Sequence, residues 1–156
     1  LMNAVHQFVK WRRGDDMGVI LIEDAPESLD SDALRSKMDA EGCGSIVSFL
    51  GLTRGSDDGV EVHHLEFDAW SEKLPEVLHV LATKAIDQFG VNSIAMSHRT
   101  GVVLPGEDIV CIHVASAHRK EGFEACAWLI DELKAQAPVW KKEMRADGTH
   151  WKEGLG

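Results

Sequence analysis

The chain has 156 residues, of which 44% are hydrophobic, so it is long enough for one compact core and too short to predict two independent domains. Its formal net charge of −10 argues against a general binder of nucleic acid or of membrane surfaces, because such proteins need a basic excess. No apolar run approaches the roughly 18 to 20 residues of a membrane span, so we predict neither nucleic acid nor membrane as a partner.

The start of the chain, "LMNAVHQFVKWRRGDD", lacks the apolar segment of a secretory signal. Met17 stands directly before the first run of strand-like residues. We therefore predict a disordered N-terminal extension over residues 1–17, followed by a single domain over residues 18–156.

The first half of that domain predicts three strands and a short helix. "GVILIED" is an apolar run of strand length, and "SDALRSKMDA" predicts a helix with Ser31 as its N-cap. "GSIVSFLG" is rich in β-branched and aromatic residues, which is typical of a buried strand. "VEVHHLEFDAW" alternates, so it predicts a strand with His63, Leu65 and Phe67 on one face.

The second half predicts two longer helices that flank two more strands. "PEVLHVLATKAIDQFG" predicts a helix that begins at Pro75 and ends at Gly90. "VNSIAMSHRTG" and "EDIVCIHVAS" predict the strands, and the helix after them must end near Pro138. Its predicted inner stripe is Phe123, Cys126, Ala127, Ile130 and Ala137. With "THWKE" as a last edge strand, the order of elements indicates an α+β fold.

Basic residues concentrate late in this acidic chain. Residues 23–87 hold 15 acidic and 5 basic residues, whereas residues 118–145 hold 5 acidic and 6 basic residues. An anionic ligand would therefore be captured locally, by the later segment.

Six residues are candidates for anion chemistry, five of them in that segment. Lys134 follows Ile130 by four residues and so lies on the inner side of its helix, where it either snorkels to solvent or has a partly desolvated, nucleophilic amine. His118 and Arg119 lie where a strand ends and a helix begins, a place that favours anions. Arg54 opens a glycine-rich loop, and Lys141 is followed by Lys142 just after Pro138. Taken singly, each of these residues is at least as typical of ordinary surface charge as of an anion-binding site.

The cysteines and histidines favour no metal or disulfide. Cys43, Cys111 and Cys126 are odd in number and show no C-x-x-C spacing, which fits a reducing cytoplasm. The eight histidines show no metal-ligand spacing, and His113 is predicted as a hydrogen-bonded core residue. We predict no metal and no cofactor.

The order of four segments carries a family resemblance. "FLGLTRG", "HRTGVVLPGEDIV", "VASAHRKEGFEACAWLIDELKAQAPVWKKE" and "GTHWKE" together resemble the MoaE family, the large catalytic subunit of molybdopterin synthase. The resemblance covers roughly residues 18–153.

The resemblance implies a fold, a reaction and partners. The fold is an α/β hammerhead-like mixed sheet with packed helices and an added small α+β portion. The reaction converts cyclic pyranopterin monophosphate into molybdopterin by forming a dithiolene, in molybdenum cofactor biosynthesis. The sulfur arrives on the C-terminal Gly-Gly thiocarboxylate of a small ubiquitin-like sulfur-carrier subunit. Two large subunits form a homodimer at the centre of a heterotetramer.

The resemblance also implies roles for individual residues. Lys134 and Lys141 match the catalytic lysines, with Lys134 nearest the thiocarboxylate carbon and Lys141 assisting in charge stabilisation or proton transfer. The matched substrate-binding residues are Leu52, Thr53, Arg54, His118, Arg119, Lys134, Lys141, Lys142 and Glu143. The family often carries an arginine after the terminal tryptophan, whereas here Trp151 is followed by Lys152, which we take as its substitute.

A second function stays open from the residues alone. The same basic cluster fits a non-catalytic regulatory α+β domain that binds an anion or a phosphorylated metabolite. A sulfur-transfer assay separates the two functions.

Overall fold

A computed structural model describes the backbone of residues 5–13 and 16–152 and the side chains of residues 19–152. Ten strands and three helices follow one another along these residues. They are β1 (Val5–Arg13), β2 (Asp16–Ala25), α1 (Ser31–Ser36), β3 (Ser45–Leu52), β4 (Ser56–Asp57), β5 (Val60–Ala69), α2 (Lys73–Phe89), β6 (Ser93–Arg99), β7 (Gly101–Val103), β8 (Asp108–Ser116), α3 (Arg119–Gln136), β9 (Val139–Arg145) and β10 (Gly148–Trp151). None of the helices is long and apolar enough to cross a bilayer, within the part of the chain that is described. The predicted α+β fold is confirmed.

The strands form two sheets. The first has the order β1-β2-β6-β8-β3, in which β2 and β6 run parallel and the other pairs run antiparallel. The second has the order β10-β9-β5-β4, and β7 also pairs with β5. The final strand predicted from "THWKE" is confirmed as β10, which pairs with β9.

The central strands β2, β6 and β8 of the first sheet are buried on both faces, because successive side chains along them are mostly apolar and point to opposite sides. In β2, Ile20 and Ile22 face the main core, which α2, α3 and the second sheet complete. Val19 and Leu21 face the opposite side, where Leu34 of α1 covers them. Burial of this kind contributes on the order of 1.5–3 kcal/mol per large side chain, so the first sheet holds the other elements in place.

Strand β1 differs from the predicted extension. Val5–Arg13 pairs antiparallel with β2, with Arg13 opposite Asp16, whereas the sequence predicts disorder over residues 1–17. "VHQFVKW" is rich in valine and aromatic residues, which favour strands, and the edge of β2 gives that segment a partner. Residues 1–4 and 14–15 of the predicted extension lie outside the described residues, and a single domain over 18–156 stays a prediction.

An irregularity in the pairing of β5 changes which of its side chains are buried. His63 is exposed, although alternation predicts it on the same face as Leu65 and Phe67. The pairing of β5 with β9 shifts between Val62 and His64, so that Val62 is the buried residue before Leu65. The prediction for His63 is wrong because one extra residue at this irregularity reverses the alternation.

The helices begin and end close to their predicted limits. The N-cap of α1 is Asp30 rather than Ser31, since the Asp30 side chain accepts a hydrogen bond from the Ala33 backbone N–H. Helix α2 begins two residues before Pro75, and Gly90 ends it in the left-handed conformation, with φ of 71°.

Helix α3 ends before Pro138 as predicted, but its inner stripe is different. The buried residues are Gly122, Ala125, Cys126, Leu129 and Leu133. Of the predicted stripe, Cys126 is buried and both Ile130 and Ala137 pack against the core, whereas Phe123 and Ala127 are exposed. Gly122 explains the offset: a Cβ there would lie 2.9 Å from Ser116 Oγ and 3.1 Å from Val47 Cγ2, so the helix approaches the sheet closely on that side.

Candidate active site

A cavity of about 440 Å³ lies where the end of β3 meets α3, β5 and β9. This volume is in the usual range of small-molecule sites, roughly 300–1,000 Å³. Its lining combines apolar residues with a few charged ones: Phe49, Leu50, Gly51, Leu52, Arg54, Ser56, Asp57, Val62, Leu65, Phe67, His98, Ile109, Val110, Ile130, Leu133, Lys134, Lys141 and Glu143. An apolar cavity with convergent polar groups is the usual form of a ligand-binding site.

Three cations from separate elements line this cavity. Arg54 comes from the loop after β3, Lys134 from the last turn of α3 and Lys141 from β9. Lys134 directly follows the fully buried Leu133, which holds the end of the helix against the core. Among the described residues, none of the three cations forms an ion pair, so their charges are available to an anionic ligand.

The surroundings of Lys141 perturb its ionisation. Burial lowers the pKa of the Lys141 ammonium, and although the Glu143 carboxylate opposes this effect, the charges of Lys152, Arg54 and Lys134 lower it further. Of the two possibilities that the sequence leaves open for Lys134, its exposure fits a side chain that reaches solvent, whereas Lys141 is half-buried. Its place in the cavity wall, beside these charges, makes the Lys141 amine a candidate for proton transfer.

Two carboxylates of the cavity wall are neutralised by cations beside it. Lys152 Nζ lies 2.7 Å from Asp57 Oδ2 and 3.2 Å from Glu143 Oε2, and Arg145 Nη1 lies 3.4 Å from Asp57 Oδ2. The hydrogen bond from Lys152 holds the pKa of Asp57 below its usual range. Because both carboxylates are paired in this way, the cavity keeps its attraction for anions. Lys152, suggested as a substitute for a missing arginine, contacts its own chain here.

The alternation of β9 separates residues that the sequence grouped together. Lys141 and Glu143 face the cavity, since they are two residues apart on one strand. Lys142 faces the other side of the sheet, where its Nζ lies 3.0 Å from Glu66 Oε2 and 5.3 Å from the centre of the Trp151 ring. From the residues alone the pair is typical of solvated charge, and no strand is predicted here. The role in substrate binding that the resemblance implies for Lys142 stays a prediction.

The Leu52-Thr53-Arg54 loop reaches the cavity through two of its three residues. Leu52 and Arg54 line the cavity, and Thr53 is buried beside it. The Thr53 backbone N–H donates to the Glu107 carbonyl at 3.0 Å, and its carbonyl accepts from the Gly106 N–H at 3.0 Å. Thr53 therefore fixes the loop that carries Arg54.

His118 and Arg119 are not brought to this cavity within one chain. Both are exposed at the start of α3, where the His118 backbone N–H donates to Glu121 Oε1 at 2.8 Å as part of a capping box. Lys134 is fifteen residues further along the same helix, which corresponds to about 22 Å at ~1.5 Å per residue. Their predicted role in substrate binding stays a prediction.

Sequence reasoning missed His98 and Asp57 in the cavity lining. His98 is the penultimate residue of β6, and nothing in "SHRTG" distinguishes a cavity histidine from a core one. His113, by contrast, is the hydrogen-bonded core residue that was predicted, with Ser31 and Ser48 as its partners.

No cluster of three or more His, Cys, Asp or Glu residues suited to a metal ion occurs within the described part of the chain. Cys43, Cys111 and Cys126 are all free thiols. Burial raises the pKa of Cys111 to about 12 and that of Cys126 to about 11, so both remain protonated at neutral pH. Chemistry at this site therefore depends mainly on the cations that line the cavity, Arg54, Lys134 and Lys141.

The sequence of this chain is similar to those of known proteins. The family model for the MoaE protein matches residues 24–136. The molybdopterin synthase catalytic subunit of Pyrococcus abyssi is 34% identical over 129 residues, which cover 83% of this chain and 87% of that protein. The protein of the same name from Arabidopsis thaliana is 41% identical over 114 residues, which cover 73% of this chain and 58% of that protein.

Solved structures share the fold. The crystal structure of molybdopterin synthase from Staphylococcus aureus has a TM-score of 0.78 at 27% identity and covers 83% of this chain and 95% of its own. A complex of subunits 1 and 2 of molybdopterin-converting factor from Helicobacter pylori has a TM-score of 0.69 at 24% identity, covering 85% and 90%. Since the family model spans most of the residues that build the cavity, the chain belongs to the MoaE family.

Proposed function

We propose that this chain is the catalytic subunit of a molybdopterin synthase, a sulfurtransferase that converts cyclic pyranopterin monophosphate into molybdopterin by forming a dithiolene. The observation that carries this proposal is the convergence of Arg54, Lys134 and Lys141, which carry no internal ion pair in the described residues, on one cavity with an apolar floor. The substrate carries a cyclic phosphate and the sulfur donor ends in a thiocarboxylate. Two anions meet only where cations lower the cost of bringing them together.

Each cation has a separate role in this proposal. Arg54 binds the phosphate, because a guanidinium donates to two oxygens at once. Lys134 lies nearest the thiocarboxylate carbon and stabilises the charge that develops there. Lys141 transfers protons, a role supported by the burial and the neighbouring charges that lower the pKa of its ammonium.

The sulfur donor in this proposal is a small ubiquitin-like carrier subunit whose C-terminal Gly-Gly thiocarboxylate enters the cavity. The relatives' name, catalytic subunit, implies that at least one further subunit exists. Two glycines have no side chains and can approach the cavity walls closely. Adding one bulky residue to that end should abolish sulfur transfer, and unchanged turnover would contradict the insertion.

Self-association would explain His118 and Arg119. Strand β3 is the last strand of its sheet and has a neighbour on one side only, among the described residues. Its first residue, Ser45, pairs with Ser116 next to the start of α3, and its last residue, Leu52, lines the cavity. The eight residues of β3 span about 25 Å at ~3.3 Å per residue.

Antiparallel pairing of β3 with the β3 of a second copy would exchange these two ends. The start of α3 in one subunit would then lie beside the cavity of the other, so His118 and Arg119 of one copy would serve the Lys134 and Lys141 of its partner. The exposed Ile46, Leu50 and Leu52 on β3 also favour a covered edge. We infer a homodimer at the centre of a heterotetramer, with substrate sites completed across the dimer.

A reconstitution assay tests the catalytic function. The chain is mixed with thiocarboxylated carrier and cyclic pyranopterin monophosphate, and dithiolene product is measured. Lys134→Ala should abolish product while phosphate-ligand binding survives, and Lys84→Ala, an exposed lysine on α2, should leave turnover unchanged. No product from the unaltered protein would instead favour the alternative, a non-catalytic domain that binds an anion or phosphorylated metabolite.

Mixing two inactive variants tests the shared site. Lys134→Ala and Arg119→Ala homodimers are each expected to be inactive. Subunit exchange between them should restore product, because half of the dimers are then mixed and one of the two cavities in each is complete, about one quarter of all sites. No restoration would refute sharing across the dimer.

We also propose the cytoplasm as the location of this protein. The free thiols of Cys43, Cys111 and Cys126 support a reducing compartment. Persistence of all three thiols in protein purified from cytoplasm without added reductant is the expected result.

A further inference from the structure

His98 stands apart from the other polar groups of the cavity because it is uncharged and almost fully buried. Its ring lines the cavity, yet only 3% of the residue is exposed. Phe67, also in the lining, meets the ring edge-on with centroids 5.3 Å apart, which fixes the plane of the imidazole.

One hydrogen bond fixes the tautomer of the His98 ring. Nδ1 lies 2.7 Å from the Arg99 carbonyl oxygen, which can only accept, so Nδ1 carries the proton. Nε2 therefore presents a lone pair. Arg99 in turn is tied down by Ala25, Val102 and Glu107, so the carbonyl that orients the ring has a rigid support.

The ring also stays neutral. Burial lowers the pKa of His98 to about 4, although the hydrogen bond to the Arg99 carbonyl opposes this. Nε2 has no hydrogen-bond partner among the residues that the structure describes, and because the ring lines the cavity, a donor to Nε2 comes from solvent or from a bound ligand.

We propose that Nε2 of His98 accepts a hydrogen bond from an N–H group of a flat nitrogen heterocycle bound in the cavity. This inference rests on the proposed function and assigns the two ends of the substrate. The cations Arg54, Lys134 and Lys141 take the anionic end, and His98, with the aromatic rings of Phe49 and Phe67 in the same lining, takes the end of the heterocycle that carries N–H donors.

Two matched probes separate this hydrogen bond from anion binding. Pterin-6-carboxylate has N–H donors and an anionic group, whereas 1,3-dimethyllumazine-6-carboxylate has the same anionic group and no N–H. His98→Phe should weaken binding of the first probe by about 5- to 150-fold, as expected for one lost hydrogen bond to a buried group, and change binding of the second by less than about 2-fold. His98→Gln, which restores an acceptor, should recover part of the affinity.

A measurement on the unaltered protein removes any dependence on how the variants fold. The ¹⁵N signal of His98 Nε2 should be that of an unprotonated nitrogen between pH 6 and 8, and it should move upfield when pterin-6-carboxylate binds but not when the dimethylated probe binds. A signal that is protonated in the free protein, or equal for both probes, overturns the inference.

The assay also distinguishes this inference from the proposed function. If dithiolene product forms and the His98 signal ignores pterin-6-carboxylate, the sulfurtransferase function stands and the role of His98 is refuted. If neither probe binds and no product forms, both are refuted.

Discussion

Replacing Arg99 by methionine tests whether the loop beside the cavity is held by a buried hydrogen-bond network. Arg99 is 2% exposed, and its guanidinium donates to the carbonyls of Ala25 at 3.0 Å and Val102 at 2.8 Å, and to Glu107 Oε2 at 3.1 Å. It thereby joins the ends of β2 and β6 to β7. Methionine fills similar space and makes none of these bonds.

The size of the effect follows from which groups lose a partner. Arg99→Met loses two hydrogen bonds from a buried charged group to carbonyls, each worth about 1.5–3 kcal/mol, and the Ala25 carbonyl keeps another donor, the Thr100 N–H at 3.2 Å, so the variant should cost about 3–5 kcal/mol. Glu107 is 41% exposed, and its ion pair in high dielectric contributes under about 1 kcal/mol, so Glu107→Gln should have a small effect. The carbonyl bonds, rather than the ion pair, should therefore dominate.

Urea unfolding measures this difference. With a slope of about 2 kcal/mol per molar urea, Arg99→Met should lower the midpoint by roughly 1.5–2.5 M without changing the slope. The exposed Arg119→Met is the matched control and should change stability by less than about 0.5 kcal/mol. A loss below 1 kcal/mol for Arg99→Met, or an equal loss for Glu107→Gln, would refute the reasoning.

Two further predictions concern the cavity wall. Arg54→Met removes a positive charge near Lys141, so the ammonium form of Lys141 is favoured and its pKa rises. Acetylation of Lys141 by acetic anhydride, followed by mass spectrometry, should therefore begin at a higher pH than in the unaltered protein. An unchanged or lower onset contradicts the coupling between the two charges. Gly51→Ala places a Cβ 2.7 Å from Val110 Cγ1 and should lower the free energy of unfolding, measured by thermal unfolding, by about 1–3 kcal/mol. The control Gly55→Ala has nothing within 4 Å of its Cβ and should lower it much less. Equal losses would show that the contact with Val110 is relieved.

Regular periodicity made much of the fold predictable. Helix α2 and strands β2, β3 and β8 carry unbroken apolar patterns, and Gly90 and Pro138 mark the ends of their helices. Strands β4 and β7 have only two and three residues, too few to show a period. Strand β9 follows directly after Pro138 and carries three successive charged residues, so Lys141 and Lys142 were interpreted as solvated charge beyond the helix and no strand was predicted there.

The candidate site was predictable only in part. Arg54, Lys134 and Lys141 were identified from their positions and through the family resemblance, but periodicity left the desolvation of Lys134 open and did not indicate that Lys141 is half-buried. The hydrogen bond between Lys152 and Asp57 joins residues 95 positions apart, and no local pattern indicates such a pair. His98 was missed because its role depends on a ring plane and a tautomer, which only three-dimensional contacts reveal.

The alternation of β9 has a consequence for changes in chain length. Inserting a single residue between Pro138 and Lys141 would turn the strand over, presenting Lys142 to the cavity and sending Lys141 and Glu143 to the outer surface. The strand would keep all of its original residues, but Lys141 and Glu143 would no longer line the cavity. Two-residue insertions would keep the original faces, so tolerance to insertion at this junction should depend on whether the added length is odd or even.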